Sequence, residues 1–273
     1  QAAAYQPFFR AHAHIDTKRR EPWLFGEEPL AQIRKAVVAR YRLLPYVYTL
    51  FEEAHRTGMP VMRPLWAHDA SMVVGSHARE AEDRAWLLGR DLFVQPVTEP
   101  GVTTVDVELP PGSTWYDVFT HEDEVSTHAV SGARSVSAPM DKIPVFQRAG
   151  SIIPKRLRLR RAAELMAHDP YTLVVALDPA TKTATGRLYV DDYVSWATGW
   201  EATFQAVVKT RGADVVVELE GVSKGGAGAG AGAGATATSL LGTKVERVLV
   251  MGATTSCVAG EGKASATQHG KTW

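Results

Sequence analysis

The sequence predicts a mixed fold: one strand–loop–helix unit at the N-terminal end, followed by two antiparallel β-sandwich domains. Three observations carry this. Apolar residues alternate from Phe8 to Asp16 and recur every three or four positions from Leu30 to Thr57. From Pro60 onward they fall into short runs bounded by Pro and Gly. The chain is 273 residues long, enough for one and a half to two ordinary domains.

The elements follow in order. In Phe8-Phe9-Arg10-Ala11-His12-Ala13-His14-Ile15-Asp16, a strand would put Phe9, Ala11, Ala13 and Ile15 on a packed face. Arg10, His12, His14 and Asp16 would take the polar face. A charged loop, 17–29, comes next. The helix would bury Leu30, Ile33, Val37, Tyr41, Leu44, Tyr48 and Phe51 along one stripe. Gly58 and Pro60 would stop it, and Pro45 predicts a kink or break near Leu44. Strands are expected at 91–97, 102–109, 135–138 and 145–153, then at 171–177, 187–190, 202–209, 214–219 and 244–251. The expected division is 1–63, 64–157 and 158–273. The Gly-Ala run at 225–235 has no side chain that could offset ordering entropy and is expected as a disordered loop.

Composition narrows the function classes. Lys plus Arg and Asp plus Glu both number 30, so no net field holds nucleic acid or an anionic membrane. No apolar run is long enough for a membrane span. One cysteine, Cys257, excludes an internal disulfide. No asparagine is present, so the stretch carries no N-glycosylation acceptor. Residue 1 is Gln with no leader after it, as expected for part of a longer or processed chain.

The sharpest chemical signal is His12-Ala13-His14. On a strand the two imidazoles would point the same way, about 7 Å apart. That spacing suits two structural histidines, a hydroxyl-binding site or a divalent metal. The other histidines lack metal-ligand spacing, which weakens the metal reading, and no metal or cofactor is expected. Glycoside hydrolysis needs two carboxylates. Glu52-Glu53 and Glu122-Asp123-Glu124 read as solvated charge, and Asp191-Asp192 as a turn former rather than a cation or sugar site. Trp66, Trp86, Trp115, Trp196 and Trp200 suit a β core better than a sugar platform. Arg156, Arg158 and Arg160 would share one face of a strand, and an exposed strand or an inter-domain ion-pair surface explains them better than a phosphate site.

Longer motifs add a resemblance. Tyr5 to His14 with Arg19-Arg20-Glu21-Pro22-Trp23, Arg40 to Leu50, Pro60 to Leu65, Leu88 to Val97, Trp115-Tyr116-Asp117 and Ile143 to Pro154 resemble, in order, glycoside hydrolase family 31. The resemblance implies that 1–63 is the tail of a (β/α)8 TIM barrel, a strand plus a long helix, and that two β-sandwiches follow. It implies a retaining α-glucosidase acting on terminal α-linked glucose of oligosaccharides, with N-glycan trimming in the endoplasmic reticulum lumen. His12 would bind sugar hydroxyls, with Arg10 as a supporting neighbour. The nucleophile and acid/base aspartates would lie in the upstream part of the same catalytic chain, so this stretch alone would be inactive. A non-catalytic β subunit is an implied partner. Tyr193 stands where the family usually has Gly, so that turn should differ or be strained. The alternative is a non-catalytic carbohydrate-binding or scaffold protein.

Overall fold

A computed structural model describes residues 1–67, 84–118, 126, 128–191, 193, 199–211, 214–225, 244–252, 267–268 and 271–272. The Gly-Ala run from Gly226 onward, Cys257 and Glu122 to Glu124 lie outside the described residues. The chain divides into two compact units. One comprises Gln1–Tyr41, Pro60–Glu124 and Val130–Arg148; the other comprises Arg42–Met59, Val125–Ala129 and Ala149–Trp273.

Helix α1 (Glu27–Thr57) gives its first half to one unit and its second half to the other. Glu27 and Glu28 occupy its first turn and His55 and Arg56 its last, the charge order that complements the helix dipole. Gly58 ends it with φ of 77° and donates its N–H to Ala54. The expected break at Pro45 is absent, and the helix runs through it. A mid-helix proline costs about 3 kcal/mol. Burial of Leu43, Tyr46, Val47 and Leu50 outweighs that at roughly 1.5–3 kcal/mol for a large apolar side chain. Those four also correct the expected stripe, since Phe51 is 46% exposed. The helix is apolar on two adjacent lines. In its second half, packing within the second unit selects the line its own periodicity did not.

The first segment differs more. No strand forms over Phe8–Asp16, and Ile15, assigned to a packed face, is 92% exposed. Among the described residues no neighbouring strand offers a ladder to this segment. Without such a partner, alternation cannot make a strand.

The first unit holds β1 (Met62–Arg63), β2 (Trp86–Leu88), β3 (Leu92–Val94), β4 (Thr104–Glu108), β5 (Trp115–Asp117), β6 (Ala133–Ser137) and β7 (Val145–Arg148). Five form an antiparallel sheet in the order β1-β2-β3-β7-β5, and β4 pairs with β6. Leu87, Phe93, Trp115 and Phe146 from the larger sheet share one apolar cluster with Val107 and Val136 from the smaller. Phe93 meets Trp115 and Phe146 edge-on at 6.1 and 6.2 Å.

The run expected at 145–153 is two strands, because Gly150 turns the chain with φ of 79°. The strands of the second unit start there: β8 (Ser151–Lys155), β9 (Tyr171–Ala176), β10 (Thr183–Asp191), β11 (Gly199–Arg211), β12 (Asp214–Gly225) and β13 (Val245–Met251). Its sheet order is β12-β11-β10-β8-β9-β13. The expectation of purely antiparallel strands fails here. β10 runs parallel to β8, and β13 runs parallel to β9. The short turn after β9, where Asp178 Oδ1 accepts the Ala180 and Thr181 N–H groups, sends β10 past β8 to its far side. A strand reversing from β9 and settling beyond its antiparallel neighbour must run parallel to that neighbour.

Burial and, secondarily, the Arg42 charge lower the Lys155 ammonium, at the end of β8, to about 8. The unfolded chain then holds more protons than the folded one between pH 8 and the ordinary lysine range. Stability from this group therefore rises with pH across that window. Lys155→Met is expected to stabilise the fold at pH 7 by about 1–2 kcal/mol, allowing for partial exposure. Urea unfolding from pH 7 to 10.5 checks it: the two chains should converge as the pH rises.

Candidate functional site

The approach to His12 is fixed by a buried arginine of α1. Arg40 Nη1 donates to the carbonyls of Ala4 (3.3 Å) and Gln6 (2.6 Å), and Nη2 donates to Pro7 (3.0 Å). Trp86 Nε1 donates to the Tyr5 carbonyl at 3.1 Å. Residues 4–7 are thus held at four consecutive carbonyls, and the chain emerges from them into the exposed stretch that carries Arg10, His12 and His14. Sequence reasoning missed Arg40. Its available signal was a cation lying one residue before the expected apolar line at Tyr41.

His12 is exposed, and Arg10 Nη2 lies 2.7 Å from its Nδ1. A guanidinium donates and never accepts, so Nδ1 is the acceptor. The neutral ring then carries its proton on Nε2, which faces away from Arg10. His14 is held differently: the Asp16 N–H approaches its Nδ1 at 3.3 Å. Among the described residues no group of three or more His, Cys, Asp or Glu side chains gathers as a metal site. Arg19 donates to Glu21 Oε1 from both Nε (2.8 Å) and Nη2 (2.7 Å). Pro22 then opens a 3-10 turn through Phe25.

The other candidates are placed as follows. Glu52, expected on a solvated face, is paired with Arg56 at 3.1 Å and with Arg187 at 3.2 Å. Trp86 and Trp115 are buried, Trp66 is 51% exposed, and Trp196 lies outside the described residues, as does the side chain of Trp200. Asp191 serves the turn. Its Oδ1 accepts the Tyr193 N–H at 2.9 Å, and its Oδ2 accepts the Tyr48 hydroxyl at 2.6 Å. Asp192 lies outside the described residues. Burial and the Asp191 carboxylate both hold the Tyr48 phenol protonated.

Tyr193 adopts φ of 58°, so the left-handed turn persists without glycine. That conformation costs about 1–2 kcal/mol. Its ring lies 5.4 Å from that of Tyr48, and Arg156 Nη1 donates to its hydroxyl at 3.3 Å. The arginine face expected on one strand is not a strand, because β8 ends at Lys155. Arg156 is buried, Arg158 pairs with Glu246 at 2.6 Å, and Arg160 grips both oxygens of Asp169 at 2.9 and 2.8 Å. Chiefly through the bond from Arg160, the Asp169 carboxyl is held below its ordinary range.

Comparison with known proteins joins these observations. Residues 1–50 match the glycosyl hydrolases family 31 TIM-barrel domain, and residues 58–153 match the glycosyl hydrolase family 31 C-terminal domain. A probable glucan 1,3-alpha-glucosidase of Arabidopsis thaliana is 47% identical over 192 residues, 70% of this chain and 20% of that protein. The chain therefore spans about a fifth of the length of the curated relatives it matches. A crystal structure of glucosidase II alpha subunit in a Glc1Man2-bound form is 32% identical, with a TM-score of 0.69. The match covers 100% of this chain and 28% of that one. A second structure, of an ER glucosidase II heterodimeric complex of the catalytic subunit with the binding domain of the regulatory subunit, gives 31% and 0.70 over 100% of this chain and 28% of that one.

Proposed function

Since the chain belongs to glycoside hydrolase family 31, we propose that it is the C-terminal part of a retaining α-glucosidase that removes terminal α-linked glucose from oligosaccharides. The supporting observation is the 47% identity over 192 residues to a probable glucan 1,3-alpha-glucosidase, beside the family TIM-barrel match over residues 1–50, the segment that bears His12. In this reading residues 1–63 complete the catalytic barrel, 64–157 form the proximal β-sandwich and 158–273 the distal one. The upstream part of the catalytic chain supplies two aspartates, one attacking the anomeric carbon and one protonating the leaving oxygen, before water resolves the glycosyl-enzyme with retention. His12 presents Nε2–H to a hydroxyl of the bound sugar, and Arg10 stands behind it. By likeness to glucosidase II, the substrate is a glucosylated N-glycan, the compartment is the endoplasmic reticulum lumen, and a non-catalytic β subunit is the partner.

The purified 273-residue chain is expected to leave an aryl α-glucoside intact. A chimera carrying this chain in place of the matching C-terminal segment of the Arabidopsis relative is expected to hydrolyse it. In that chimera His12→Ala should lower kcat/KM by about 10²-fold, the cost of one hydrogen bond lost at a desolvated sugar. Turnover by the chain alone, or an unchanged kcat/KM in the His12→Ala chimera, would overturn the reading.

A further inference from the structure

We infer that Arg10 is a positioning residue that sets which nitrogen of His12 carries the proton. This rests on the reading of His12 as a sugar-hydroxyl contact, but its physical basis is separate. A neutral imidazole has one donor and one acceptor, and which nitrogen is which follows from the partner of either one. The partner here is a guanidinium with donors only, 2.7 Å from Nδ1. The Nδ1 lone pair is therefore occupied, and Nε2–H is the group left to meet a ligand. His14, two residues on, has no guanidinium at its Nδ1; it meets the main chain and, at 3.3 Å, the carboxylate of Asp16. The two histidines of the pair are thus set up differently by their immediate neighbours.

The consequence concerns selectivity. A donor at Nε2 recognises a hydroxyl through its lone pair and leaves that hydroxyl's own proton free for a carboxylate. An acceptor at Nε2 would compete with the carboxylate for the same proton. Arg10 also restricts rotation of the exposed ring, because turning it breaks the bond to Nδ1. Entropy that would be lost on ligand binding is in this way lost beforehand.

The full chain, with 15N-labelled histidine and the His12 resonances assigned through His12→Gln, provides the test at a pH where imidazole is neutral. The unsubstituted chain should show His12 with Nε2 protonated and Nδ1 bare. Arg10→Glu places an acceptor where the donor stood and should move the proton to Nδ1, lowering the Nε2–H to Nδ1–H ratio by about tenfold or more. Arg10→Lys, which restores a donor, should return the ratio toward that of the unsubstituted chain. An unchanged ratio in Arg10→Glu, with the other histidine resonances in place, overturns the inference, as does an Arg10→Lys ratio that follows Glu rather than Arg. Methyl α-glucoside added to the catalytically competent chimera separates the two readings. If the tautomer switches but Nε2 ignores the sugar, the sugar contact fails and the role of Arg10 stands. If Nε2 responds to sugar but Arg10→Glu leaves the tautomer alone, the reverse holds.

Discussion

Gly186→Ala is expected to lower the unfolding free energy by about 3 kcal/mol, at the upper end for overpacked sites. A Cβ at this position would lie 2.4 Å from the Ile152 carbonyl oxygen and 2.6 Å from the Ile152 Cβ. Both obstacles are at or next to the backbone of β8, so no side-chain rotamer can move them aside. β8 and β10 would have to separate where they run parallel, at Thr185 and Ser151, straining the bond from Thr185 N–H to the Gly150 carbonyl. Gly101 supplies the control. Its φ is 76° and nothing lies within 4 Å of a built Cβ, so Gly101→Ala bears only the left-handed penalty of about 1–2 kcal/mol. Urea unfolding of both variants distinguishes the causes: an effect at Gly186 no larger than that at Gly101 would refute the clash.

Arg156→Met is expected to cost about 3 kcal/mol. The guanidinium donates to the carbonyls of Asp169 (3.2 Å) and Ala167 (2.7 Å) and to the hydroxyls of Tyr171 (2.6 Å) and Tyr193 (3.3 Å). Its Cζ also lies 4.4 Å from the centroid of the Tyr171 ring. Methionine fills much of the volume but leaves these acceptors short of a donor in a buried place. It also withdraws a support from Tyr193, whose left-handed backbone then holds its strain with one fewer bond. Arg158→Met is the contrast, because that side chain is exposed and its pair with Glu246 should be worth under about 1 kcal/mol. Thermal unfolding measures both, and similar shifts for the two would refute the assigned role of Arg156. Amide exchange at 193 should accelerate only in the first.

How much of this was legible depended on whether the causes were local. The existence and end of helix α1 could be read because its apolar period and its Gly58 stop lie within the segment, but the line it buries in its second half could not, because packing in the second unit selects it. The strands at Leu92–Val94 and Tyr171–Ala176 could be read because Pro and Gly lie close to short apolar runs, whereas the strand at Trp115–Asp117 was not among those expected. The left-handed demand at position 193 was visible from a missing glycine, and Asp191 behaved as a turn-forming aspartate should. Non-local causes stayed hidden. Alternation at Phe8–Asp16 promised a strand, but a strand exists only with a neighbour. The parallel pairing of β8 with β10 is decided by which side of β8 the returning chain takes; Gly186 permits the close approach, but its partner Ile152 lies in another strand and is not visible from the local pattern. Of the candidate site, His12 and Arg10 were named from the motif. The bond between them, and the Arg40 anchor upstream, required coordinates.

The pairing of β9 with β13 has a consequence for biosynthesis. All six residues of Tyr171–Ala176 are buried, and one side of this strand is closed by Val245–Met251. Roughly 70 residues separate the end of one from the start of the other. At about 5–20 residues per second, the ribosome needs roughly 4–14 s to make the missing neighbour. Throughout that interval a nascent apolar strand presents an open hydrogen-bonding edge, the kind that pairs with other chains. The second unit can close only after the chain has passed Met251, so the open edge of Tyr171–Ala176 persists for that interval, the window in which a chaperone that shields extended apolar segments can act on it.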